Sequence, residues 1–216
     1  MINQFPLYLI ATLSILGLAP FVLMMVTSYV KIIVVTTLVR NALGVQQVPP
    51  AMVMNGLAII LTIFIMAPVA MDTYDIVKTI KVQPSVTVAE VVDIADKASP
   101  PLRRFLKANT EDKVLNMFVA TAKRIWPKER HDLIDKESMI FQVPAFTITE
   151  LTKAFQIGFV LYLAFIAIDL IISNILLAMG MMMVSPTTIS LPFKLLLFVT
   201  LDGWLKISQG LMLSYQ

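Results

Sequence analysis

Three consecutive side chains, Met181, Met182 and Met183, stand at the centre of Leu176-Leu-Ala-Met-Gly-Met-Met-Met-Val-Ser-Pro-Thr-Thr-Ile-Ser-Leu-Pro192. A thioether is neither acid nor base. It offers an unbranched, polarizable apolar surface that adapts to irregular shapes. The residues around the triplet break a helix. Gly180 costs about 1 kcal/mol relative to Ala in a helix interior, and Pro186 drives Ser185 into an extended conformation. Thr187 or Thr188 would cap a new helix beginning near Ile189. Two readings of the triplet stay open here: apolar filler in a membrane protein, or a deformable seal at a turn.

The other candidates are charges in apolar company. One hydrophobic segment carries Glu150, Lys153 and Asp169, the next Lys194, Asp202 and Lys206. A charge at the centre of a membrane helix costs about 2.5–3.5 kcal/mol, so such residues pack against protein or a water-filled path. At about 100° per residue, Lys194, Asp202 and Lys206 fall within an arc of roughly 120°. Asp202 and Lys206 are also one turn apart. Glu150 and Lys194 lack obvious local partners and are expected to pair within or between copies, with Lys153 and Asp202 as the next candidates. Glu150, Asp169 and Asp202 also admit a second reading, as carboxylates of an ion or proton relay.

Nothing else points to catalysis. The chain has no Cys and a single histidine, His131, in a charged loop with no second ligand nearby. There is no H-E-x-x-H, no G-x-S-x-G and no phosphate-binding loop, so the chain reads as a non-enzyme without cofactor or metal. The net charge of +3 is small and dispersed, which argues against a nucleic-acid partner.

The elements that must position these residues follow from composition. Of 216 residues 58% are hydrophobic and only 14% charged, with a mean hydropathy of +0.83, which describes a membrane protein. Residues 1–30 carry no charge and read as a retained helix kinked at Pro20. No basic residue precedes that run and no small-residue cleavage site follows it. Gly44 ends a helix, Pro49-Pro50 opens the next, and residues 51–71 form a second uncharged run.

Of the 31 charged residues, 23 lie between Asp72 and Glu137, 11 acidic and 12 basic. That stretch is a folded polar region. Thr87-Val-Ala-Glu90 is a capping box, Pro100-Pro101 opens another helix, and Val114 to Trp126 keeps helical spacing up to Pro127. Pro144 is expected to close it, and Thr147-Ile-Thr-Glu150 to cap a third hydrophobic helix running to about Met179. A fourth is expected from Ile189 to about Leu213. The expected fold is all-α: a hydrophobic helical hairpin over 1–71, a polar helical domain over 72–143, and a second hydrophobic hairpin over 144–216. Lys31 and Arg40 are basic without an acidic counterpart, so residues 31–50 should face the cytoplasm and the polar region the periplasm.

Long segments also resemble a known family. Leu38-Val-Arg-Asn-Ala-Leu-Gly-Val-Gln-Gln-Val-Pro-Pro50 and Val143-Pro-Ala-Phe-Thr-Ile-Thr-Glu-Leu-Thr-Lys-Ala-Phe-Gln-Ile-Gly-Phe159 are similar to the FliP/SctR family. So are Ile168-Asp-Leu170 through Gly180-Met-Met-Met-Val-Ser-Pro186, Ile189-Ser-Leu-Pro-Phe-Lys-Leu-Leu-Leu-Phe198 and Asp202-Gly-Trp204. The 72–136 region carries little of the likeness, and Asn41 to Gln47 resembles the injectisome branch. The resemblance implies a core subunit of the bacterial type III secretion export apparatus in the inner membrane, present in five copies. It implies as partners the small two-helix subunit (SctS/FliQ), the SctT/FliR subunit, the switch protein (SctU/FlhB), the export-gate protein (SctV/FlhA), membrane lipid and unfolded secreted proteins. It also implies that Met181, Met182 and Met183 form a gasket in the pore, with Gly180, Ser185 and Pro186 letting the loop move.

Overall fold

Apolar runs punctuated by Gly and Pro should fold as helices laid against one another. They do so in the computed structural model, which describes residues 17, 18, 20–45, 48–80 and 88–216, side chains of 88–92 excepted. A short α1 (Pro20–Val26) meets α2 (Tyr29–Ala42) at an 80° bend. α3 (Ala51–Thr79) returns beside α2. Three polar-region helices follow: α4 (Val88–Ala98), α5 (Pro100–Asn109) and α6 (Asp112–Ile125), then a 3-10 turn over Lys128–Leu133. α7 (Met139–Ala178), α8 (Pro186–Thr200) and α9 (Gly203–Leu213) complete the chain, so the fold is all-α. The part of the first expected helix that covers residues 1–16, and the Thr87 cap, lie outside the described residues.

A kink at Pro20 would turn on residues outside those described, and among the described residues the first bend falls at Thr27-Ser28. There Thr147 Oγ1 donates to the Met25 carbonyl at 3.1 Å, taking up an acceptor that the broken helical ladder leaves free. α3 runs about two turns past Met71, so Asp72, Asp75 and Lys78 ride on its end. The last two turns of α3 thus belong to the charged stretch of the chain.

Pro144 does not close the polar region. Ser138, in extended conformation, starts α7 at Met139, and the helix runs through Pro144. A proline there removes one helical hydrogen bond, and tertiary packing offsets that cost. Phe141 packs with Val119 and Ala122 of α6, while Phe146 packs with Leu106 of α5 and Val26 of α1. Thr147 therefore sits inside a helix, its hydroxyl also bonded to Val143 O, and cannot act as a cap. At 40 residues α7 is about 60 Å long, twice a bilayer's hydrocarbon thickness. Its first turns serve the polar region and the rest serves the apolar bundle.

In that bundle α2 lies along α7 at close range: a Cβ on Gly158 would stand 2.2 Å from Leu38 Cδ1. Ile32, Val35 and Val39 of α2 share a core with Ala58, Ala154, Phe165, Phe198 and Leu211. Outward faces stay apolar and uncovered, including Ile60, Ile63 and Phe64 of α3 and Phe155, Phe159 and Val160 of α7. Among the described residues α3 and α7 are long and apolar enough to cross a membrane, and α1–α2 and α8–α9 are bent pairs of the same character.

Candidate functional site

The methionine loop is built by helix-end chemistry. Gly180 takes φ 75°, a left-handed conformation glycine adopts without a Cβ penalty. Its N–H donates to Leu177 O at 3.0 Å and the Met181 N–H to Leu176 O at 2.9 Å. These two reversed bonds are the Schellman closure of a helix C-terminus. Five residues after Met181, Pro186 opens α8, and Ser185 before it is extended with ψ 117°. The expected cap at Thr187 or Thr188 is thus displaced. Proline presets the first helical residue, so Ser185 becomes the boundary residue, its hydroxyl 2.8 Å from Thr187 Oγ1. Between these fixed ends Met182 and Met183 project outward at 82% and 101% relative exposure, and Met181 is partly covered at 40%.

Behind the loop a polar cluster anchors α8. Lys194 Nζ donates to Asp169 Oδ2 at 2.6 Å and to the Ala42 carbonyl at 3.2 Å. Ser190 Oγ donates to the other carboxylate oxygen of Asp169. Ala42 is the last residue of α2, so the buried ammonium meets the partial negative charge of a helix C-terminus as well as a carboxylate. One lysine thereby ties together α2, α7 and α8.

A second cluster lies where the bundle meets the polar region. Lys31 Nζ stands 3.1 Å from Glu150 Oε2, and the two side chains are 1% and 0% exposed. The Tyr215 hydroxyl donates to Glu150, and the Lys31 ammonium sits 3.6 Å from the Tyr215 ring centroid. Lys153, one turn along α7, donates to Asn109 O at 3.3 Å and so caps the end of α5.

The expected Glu150–Lys194 pair is therefore not formed within the chain: Glu150 takes Lys31 and Lys194 takes Asp169. Sequence separations of 119 and 25 residues made neither partner a local choice. Nor do Lys194, Asp202 and Lys206 share one helix face. The segment breaks at Asp202, whose φ is 51°, and α9 leaves α8 at 58°. Asp202 and Lys206 are joined only through the backbone, Lys206 N–H to Asp202 O at 3.0 Å, and both are exposed. Lys31, Ser190 and Tyr215 were missing from the sequence reading of the site. Lys31 had a signal, as the first charge after a long uncharged run; Tyr215 had none.

His131 Nε2 lies 3.2 Å from the Trp126 carbonyl, an ordinary loop contact. No group of acidic, His or Cys side chains able to hold a metal occurs among the described residues.

Bent apolar helix pairs, charges closed into ion pairs and an exposed thioether loop between α7 and α8 define a membrane-associated helical protein. Residues 12–211 match the FliP family model, and the chain belongs to that family. It is 54% identical over 208 residues to "Yop proteins translocation protein R" of Yersinia pestis, covering 96% of this chain and 95% of that protein. It is 47% identical to "Virulence protein YscR" of Salmonella typhimurium, covering 92% of each chain. To "Hypersensitivity response secretion protein HrcR" of Ralstonia nicotianae it is 46% identical, covering 93% of each.

Proposed function

We propose that this chain is a core subunit of a bacterial type III secretion export apparatus in the inner membrane, and that its methionine loop seals the export pore. Membership of the FliP family and relatives named for translocation, virulence and secretion support the apparatus role. Uncovered apolar helix faces on both sides of the bundle support assembly with copies of itself, and with the subunits of the SctS/FliQ, SctT/FliR, SctU/FlhB and SctV/FlhA families that the resemblance implies. The polar region is assigned to the periplasmic side.

The observation that carries the seal is the loop itself. Met182 and Met183 are exposed side by side on a turn whose two ends are fixed by the Schellman closure and by Pro186. A resting pore must block ions while yielding to a chain in transit, and rings of compliant apolar side chains do both. Against the relay reading, Glu150 and Asp169 are each engaged with a lysine and a hydroxyl.

The test replaces Met181, Met182 and Met183 together by Ala in cells carrying the full apparatus. Complex size should stay unchanged, leakage of ions and small solutes should rise, and secretion should fall only modestly. Normal assembly without added leak would return the triplet to apolar filler.

A further inference from the structure

Tyr215 occupies a position the gate reading does not use. Its hydroxyl donates to Glu150 and lies 3.5 Å from the Ser28 carbonyl. One face of its ring receives the Lys31 ammonium at 3.6 Å. The ring also stacks on Phe105 of α5, centroids 5.7 Å apart and planes 18° from parallel. A single side chain beyond the end of α9 therefore touches the α1–α2 break, α2, α5 and α7.

The rest of α9 is held differently. Trp204, Ile207, Leu211 and Met212 make apolar contacts with the bundle core. In lipid, helices associate through close packing and interhelical hydrogen bonds, and the Tyr215 hydroxyl supplies a polar tie between this end of the chain and the bundle. At its other end α9 joins α8 through Asp202 in the left-handed region. Gly203 follows, so close to Phe198 that a Cβ would stand 2.4 Å from the ring. α8 itself stays anchored by Lys194 to α2 and α7.

The geometry points to α9 as a movable arm hinged at Asp202-Gly203 and latched by Tyr215 over the buried Lys31–Glu150 pair. Closed, the latch completes the carboxylate's hydrogen bonding and keeps water from the pair. Open, it uncovers the pair and the buried Ser28. Because the latch stacks on Phe105, a displacement of α5 in the polar region releases the arm. This deepens the gate reading by giving it an input from the polar region, yet the latch is measured without reference to leakage.

The chain has no cysteine, so an introduced thiol is the only one on this chain, and its label is read after the chain is resolved from its partners. Ser28 Oγ is buried without a hydrogen-bond partner, which makes Ser28→Cys a mild change beneath the latch. Ala58→Cys, equally buried between α2 and α3, serves as control. Maleimide labelling rates are measured in membranes holding the assembled complex, with Tyr215 and with Tyr215→Phe. The phenylalanine keeps the ring and removes one hydrogen bond to a charged group, so labelling at position 28 should rise about tenfold or more, with position 58 unchanged. Should Tyr215→Phe fail to accumulate, Phe105→Leu, which leaves the phenol and both charges in place, is read the same way and should shift labelling in the same direction. Equal acceleration at positions 28 and 58 would mean general loosening, and no acceleration at position 28 would mean a fixed helix end; either result overturns the latch. A failed methionine test with a positive labelling result would remove the seal and leave the latch standing.

Discussion

Replacing Glu150 by Gln removes one charge from the best-buried ion pair among the described residues while keeping the side chain's shape. Lys31 at 1% exposure would then face an amide carbonyl and the Tyr215 ring. Leaving one member of a buried pair uncompensated costs about 3–5 kcal/mol. An independent ceiling gives the same size. Lys31 can instead surrender its proton, which from an ordinary lysine pKa of about 10.4 costs roughly 4.6 kcal/mol at pH 7. Glu150→Gln should therefore lower the folded-to-unfolded ratio by about two to three and a half orders of magnitude. The double change Lys31→Met with Glu150→Gln removes both charges. It should recover most of the loss, since apolar replacement of a whole buried pair is often close to neutral. The assay is equilibrium unfolding of the purified chain in mixed micelles, with assembled complex quantified in parallel. A single-variant cost under about 1 kcal/mol would refute the reasoning, as would a double variant no better than the single ones.

The Lys194–Asp169 pair should matter less, because Asp169 is 28% exposed and can reach water once its partner is gone. Lys194→Met should cost about 1–3 kcal/mol in the same unfolding assay, and a cost exceeding that of Glu150→Gln would reverse the ranking. Gly158→Ala should destabilise by about 1–3 kcal/mol through its clash with Leu38, and Leu38→Ala on the same chain should relieve part of that cost. Alkaline phosphatase fused after Asn109 should be active and fused after Val45 inactive, and the opposite pattern would invert the assigned orientation.

Composition and punctuation determined the class of this protein, because they are local properties. Few charges outside residues 72–137, helix breakers at Gly44 and Gly180, and Pro186 at a helix start are each legible without knowing what lies opposite. The methionine loop begins at Gly180 as expected, whereas α8 opens at Pro186 and not near Ile189. Segment motifs were likewise enough to point to the FliP family, which the match over residues 12–211 shows.

Tertiary packing decided the rest. Thr147-Ile-Thr-Glu150 has the pattern of a helix start. Yet Glu150 is worth more against Lys31, brought from 119 residues away, and the packing of Phe141 and Phe146 carries α7 straight through Pro144. Asp202 and Lys206 have the spacing of a helical ion pair, but a left-handed residue and a ring pressed against Gly203 end the helix first. The partners of buried charges are chosen by which helices meet, and helices meet through side chains distant in sequence. Lys194 finds Asp169 and the end of α2, and Tyr215 finds Lys31 and Glu150, only because the fold brings those ends together.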